Sequence, residues 1–330
     1  MNAGRSDGQE PNVQKSVLNK PGLKKSELRK TDAFKAEGQR SMWIALFLLP
    51  TMLVFLMFIL WPIIASIYYS FFQWNGIGEW PSYYVGLRNY QDLIGDSHFW
   101  NAFKNTVVFV VLNNLIKLPL TLIIAYMLNN PRLRFSNVYR TGLFLPMVSS
   151  TAIIGIVMTF ILNPWNGPLN KILLDIGVLG RPVDWLGNIN LAMLVVILVE
   201  VWHYSGQYII YWLAGLQTIP KELYEAAEVD GANSVQTFLF VTIPALKPVI
   251  IIVTLLGIVM SLRVFDIVMA MTGGGPAFST DVIGTFIYRN AFGTASPRIG
   301  YSSAVAVLFG GLIMVLGTLQ GKIVGRGNHG

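Results

Sequence analysis

The chain of 330 residues contains no cysteine, which removes disulfides, zinc–thiolate sites and thiol nucleophiles from consideration. Charge is scarce too. Lys, Arg, Asp and Glu make up 12% of the residues, about half the share of an average soluble protein. His98, His203 and His329 are too scattered to form a metal site, and none is expected. There is no Gly-x-x-x-x-Gly-Lys-Ser/Thr loop, no His-Glu-x-x-His and no Gly-x-Ser-x-Gly. The chain therefore reads as a non-enzyme, with no catalytic residues and no cofactor of its own. Its net charge of +7 invites a nucleic-acid reading, but nine of the 24 basic residues precede residue 42. Most of the others flank apolar stretches. That distribution describes membrane topology and excludes a phosphate-binding groove.

What the chain has in abundance is apolar length. Hydrophobic residues make up 53% and mean hydropathy is +0.54. Six stretches approach the roughly 20 apolar residues needed for one membrane crossing: about 43–71, 102–129, 140–162, 190–217, 246–271 and 300–323. Residues 1–41 are polar, with too little apolar surface to order themselves, and predict a flexible cytoplasmic tail. They are too long and charged for the start of a cleaved signal. The second domain, 42–330, is predicted to be an all-α polytopic membrane domain of six helices. Pro50 and Pro62 predict kinks in the first span, and Trp61, Tyr68 and Tyr69 suit an interfacial aromatic belt.

Orientation follows from Lys and Arg in the loops. With the N-terminus inside, the inner segments carry sixteen: nine in the tail, then Arg132, Arg134, Arg140, Lys221, Lys247, Lys322 and Arg326. The outer loops carry five, Arg88, Lys171, Arg181, Arg289 and Arg298, with Lys104 at a rim. Both termini are expected in the cytoplasm. The first outer loop, 73–100, is dense in aromatics (Trp74, Trp80, Tyr83, Tyr84, Tyr90, Trp100), as a partner surface or headgroup zone would be.

Between the fourth and fifth spans lies a charged stretch, about 219–245, that a membrane chain has to justify. Pro220 suits a helix start, and Lys221 to Val229 are good helix formers. Gly231 permits a sharp turn. A second short helix, Asn233 to Phe240, is expected to be broken by Pro244 and Pro248. Glu225-Ala226-Ala227, three residues, Gly231, nine residues, then Val241-x-Ile243-Pro244 resembles the EAA loop of the membrane subunits of bacterial ABC importers. Val241 and Ile243 depart conservatively from the usual isoleucine and leucine. The resemblance extends from about Trp43 to Val324. Tyr139-Arg140-Thr141-Gly142-Leu143-Phe144-Leu145-Pro146 and Met271-Thr272-Gly273-Gly274-Gly275-Pro276 look like the carbohydrate branch of that family.

The resemblance implies a permease subunit of the bacterial cytoplasmic (inner) membrane. In it Glu225, Ala226, Ala227, Asp230, Gly231 and Pro244 form a coupling helix pair seated in a cytoplasmic ATPase. It implies two such ATPase subunits, which use ATP and Mg, a second and different permease chain, and an extracytoplasmic solute-binding protein. The expected cargo is a sugar or oligosaccharide. A polyol, a glycerol phosphate or an ion-coupled secondary transporter are the alternatives, the last expected to show an internal repeat that this sequence lacks.

Polar groups inside spans are costly in hydrocarbon and usually face an interior path. In the fourth span Glu200, Tyr204, Gln207, Tyr208 and Tyr211 recur at helical spacing on one face, with Trp202 and His203 beside it. Rings for stacking, with a carboxylate and a carboxamide, suit a sugar; a polar helix–helix seam explains the set equally well. Gly257, Ser261 and Val264 share a face of the fifth span, leaving room for substrate or for close helix contact. Arg263 and Asp266, three apart, are expected to pair along the helix. Lys117 needs a carboxylate, and Glu200 is the candidate by charge. Ser149-Ser150-Thr151 after Pro146 fit a bent helix or a ligand contact.

Overall fold

A segment crossing lipid has no water for its N–H and C=O groups, so each apolar stretch must bond within itself as a helix. The computed structural model describes residues 43–77, 83–130 and 133–327, without the side chains of 320 and 322–327. The expected tail, with Trp80 and Arg132, lies outside the described residues. By its contacts the chain divides at Ile64. The described part of the first unit belongs to one long helix, α1 (Trp43–Tyr69). No side chain between Trp43 and Ile64 is buried. Just ahead of Pro62, α1 is wound as a π-helix over Leu56–Leu60, the widening that accommodates a ring with no N–H to give.

The second unit, from Ala65, holds the rest. The outer segment forms a two-stranded ribbon, β1 (Phe72–Gln73) antiparallel to β2 (Tyr83–Tyr84), then α2 (Arg88–Gly95). Three long helices follow the expected spans: α3 (Ser97–Leu128), α7 (Ala192–Leu216) and α13 (Ile299–Gly327), with the short α6 (Pro168–Asp175) in the second outer loop. Asp96 caps α3 and accepts from the Tyr301 hydroxyl at 2.7 Å. Burial opposes ionisation of this carboxyl. Tyr301 and the N–H groups of His98 and Phe99 outweigh it and hold the group below the usual carboxylate range.

The expected third and fifth spans are not continuous. The third is α4 (Ser136–Val148) and α5 (Thr151–Ile161), bent by 100° at Ser149 and Ser150, both extended. Pro146 removes one backbone donor shortly before the bend. The fifth, expected as 246–271, stops at Leu262 and resumes as α11 (Asp266–Met271). Its first part, α10 (Lys247–Leu262), spans only ~24 Å at 1.5 Å per residue. No proline or glycine lies at Arg263–Phe265, so no local residue dictates that break. It forms where Gly284 brings α12 (Ile283–Phe292) so close that a Cβ there would sit 2.9 Å from the Val264 carbonyl. Counting each bent pair as one crossing, the described residues supply up to six spans, four of them as single helices.

α7 is the centre of the second unit, packed on α3 and α4, with α10 against α3 and α11 against α5. Gly155 makes the last crossing possible, since a Cβ there would meet that of Ala270. One apolar core gathers Phe109, Val196, Ile197, Ile267 and Val268. A second gathers Leu122, Ile209, Trp212, Leu216 and Leu246. A third, with Phe99, Phe286 and Tyr301, supports the outer loops.

Candidate functional site

Between the first two cores lies a cavity of about 280 Å³, lined by residues that include Lys117, Thr151, Glu200, Tyr204, Gln207 and Tyr208. Ser261 and Arg263 to Ile267 complete it, so both helix breaks open onto the same space. Irregular backbone is tolerated at membrane depth only where protein or a water-filled cavity receives its polar groups. At the first break the His203 ring lies 3.2 Å from the Ser149 carbonyl, and the Thr151 and Tyr204 hydroxyls are 3.0 Å apart.

The structure brings together much of the polar face read from the fourth span. Glu200, Tyr204, Gln207 and Tyr208 line the cavity, while Tyr211 stands back and accepts from Gln207 Nε2 at 2.7 Å. Ser261 lines the cavity and receives Asn114 Nδ2 at 3.0 Å. Gly257 is a contact point instead, because a Cβ there would strike Asn114 Oδ1. Lys117 and Glu200 border the same cavity without forming an ion pair. Instead, Lys117 Nζ sits over the Tyr208 ring, 4.1 Å from its centre. Arg263 and Asp266 do not pair as expected: they flank the second break, and no ion pair between them occurs among the described residues.

Sequence reading passed over Phe265 and Asn114. Two adjacent asparagines inside an apolar span, Asn113 and Asn114, both buried, were the signal available for the second.

At the other end of α7, α8 (Lys221–Val229) and α9 (Ser234–Ala245) form a knob. α8 closes in a Schellman turn. Ala232 N–H bonds to Ala227 O and Gly231 N–H to Glu228 O, with Gly231 at φ +74°. Asn233 and Gln236 form a capping box that starts α9. The second helix does not stop at Phe240 as expected. It runs through Pro244, because a π-helical turn at Phe238–Thr242 widens the spiral before the ring, and the chain turns by 75° only at Leu246. Ala227 is buried and Tyr224 meets Thr242 at 3.3 Å, so the knob is anchored on one side. Glu225, Ala226, Asp230 and Pro244 point outward, with Val229, Val235 and Phe240 exposed beside them.

A membrane chain with this broken-helix core and helical knob can be compared with known proteins. Residues 117–327 match the family model described as the binding-protein-dependent transport system inner membrane component. The chain belongs to this family. The permease is 37% identical over 277 residues to the lactose transport system permease protein LacF of Rhizobium radiobacter, covering 83% of this chain and 91% of that one. It is 35% identical over 285 residues to a probable ABC transporter permease of Bacillus subtilis (strain 168), covering 86% and 96%. Among solved structures, it superposes with a TM-score of 0.77 on a chain of a bacterial ABC transporter involved in the import of the acidic polysaccharide alginate. That match has 25% identity and covers 89% of this chain and 99% of that one. The permease is thus a multi-pass inner membrane component of a binding-protein-dependent ABC transporter, and is not itself an enzyme.

Proposed function

We propose that this permease carries a sugar or oligosaccharide through the cavity bordered by its two helix breaks. One observation carries the reading. Polar and charged groups from α3, α5, α7 and α10 converge on one space inside a membrane bundle, and one of them, Glu200 Oε2, has no hydrogen-bond partner among the described residues. Groups held this way are costly unless a ligand or water completes them. The mixture of rings, hydroxyls, a carboxamide and carboxylates matches a polyhydroxylated substrate, and the lactose permease named above fits the same direction.

The knob at Glu225 to Pro244 is the joint to an ATPase subunit. Its outward carboxylates and apolar side chains are free to dock, while Ala227 and Tyr224 tie it to the bundle. Two ATPase subunits close on ATP, draw two such knobs together and rock a pair of permease chains from inward-open to outward-open. Arg263 and Asp266 are exposed at the cavity. Charges at that depth are not stable against lipid, so this side faces a second permease chain. Both termini and the knob are cytoplasmic, as the distribution of Lys and Arg requires.

Gln207→Ala tests the cavity. The change is expected to lower uptake several-fold or shift preference among sugars while the complex assembles at normal yield. Unaltered preference together with reduced yield would make this face a structural seam and overturn the reading. Yield and preference are measured on one preparation.

A further inference from the structure

Lys117, Glu200, Arg263 and Asp266 all line the cavity. The ion pair present among the described residues lies elsewhere, between Arg289 and Asp281. Glu200 Oε2 is withdrawn from solvent with no hydrogen-bond partner among the described residues, although the charges of Lys117 and Asp266 both act on Glu200. Lys117 does not cover it, being committed to the face of Tyr208. A buried acceptor bordering an open space is completed only by a donor that arrives there.

A carboxylate oxygen accepts, so a ligand that bonds to it brings an O–H or N–H group. The other charges narrow the choice. The lining carries two groups of each sign, Lys117 and Arg263 against Glu200 and Asp266, so it gives a ligand of either charge no net advantage. A neutral unit with adjacent hydroxyls can bond to groups of both signs, because a hydroxyl donates and accepts. A hydroxyl of such a unit can donate to the Glu200 carboxylate where it borders the cavity, while the ring face lies against an aromatic such as Tyr204.

We propose that Glu200 determines specificity in this permease. It accepts hydroxyl hydrogen bonds from a neutral sugar unit and excludes sugars that carry a carboxylate at that position. The proposal rests on the cavity being the substrate path.

The test uses the assembled transporter in lipid nanodiscs without its binding protein, so that selection upstream does not intervene. Calorimetric titrations compare lactose and maltose with analogues in which the terminal unit is a uronate. The neutral form is expected to bind at least tenfold more tightly than its uronate, and Glu200→Gln to narrow the gap to less than threefold by raising uronate affinity. Equal binding of both forms by the wild-type complex would overturn charge selection and leave the substrate path standing. A gap unchanged in Glu200→Gln would remove Glu200 as its cause. If no sugar binds at all, the path itself is wrong and the proposal falls with it. The wild-type ratio needs no variant, so it still decides should Glu200→Gln assemble poorly.

Discussion

Asp281 is a fully buried carboxylate and Glu200 a half-buried one, and their surroundings are opposite. Asp281, in the third outer loop, receives Arg289 Nη2 at 2.6 Å and the Thr285 hydroxyl at 2.7 Å. Its own carbonyl takes Asn105 Nδ2, and Arg289 also covers the Phe278 ring at 4.5 Å. This network holds Ala277 and Phe278 at positive φ, a conformation that side chains with a Cβ adopt only under constraint. Glu200 has neighbours of both signs but no bond to any of them. A buried charge that is fully bonded organises a loop. One left without a bond, beside a cavity and broken helices, is held ready for something that comes and goes.

The largest effect is expected where the charge is bonded. Asp281→Ala strands Arg289 and frees the strained loop, and should cost about 3–5 kcal/mol of stability. Glu200→Gln removes no bond and should stay within about 1 kcal/mol of the wild type. Thermal unfolding of the two variants in the same detergent checks the contrast, which collapses if they lose stability equally.

A smaller energetic cost with a large functional consequence is expected at the knob. Gly231 stands at φ +74° with open space where a Cβ would go, so Gly231→Val adds strain of about 1–2 kcal/mol and no clash. Membrane insertion should be near normal while uptake and ATPase association are lost. Wild-type uptake in this variant would separate the knob from coupling. The least effect is expected outside both regions. Deleting residues 1–30 leaves Lys35 and Arg40 beside the first span, and charges nearest a span dominate its orientation. Tagged termini should report unchanged topology, and an inverted protein would move the topological signal into the deleted residues.

Long single helices were legible from hydropathy alone: Ser97–Leu128, Ala192–Leu216 and Ile299–Gly327 each lie within a few residues of the expected spans. The glycine turn at Gly231 was legible as well, because only a residue without a Cβ enters that region readily. The break at Arg263–Phe265 was not. Its residues are compatible with a helix, and the helix stops where α12 and its Gly284 crowd the backbone. Reading through it made Arg263 and Asp266 into a helical pair, when they are two separate charges on the wall of one cavity. Pro244 misled in the other direction. A π turn, which depends on the whole path of the chain, let the helix continue past a residue that usually ends one.

By itself the sequence determined that the chain is a helical membrane protein and that a charged knob with a glycine turn separates two spans. These follow from solvation and local sterics: lipid demands internally bonded helices, and φ > 0 selects glycine. Tertiary structure alone decided that Lys117, Thr151, Glu200 and Asp266, up to about 150 positions apart, meet at one cavity. It also decided that Asp281 is bonded and Glu200 is not. Whether a buried charge finds a partner depends on which helices cross and where they break, and helical spacing carries no record of that.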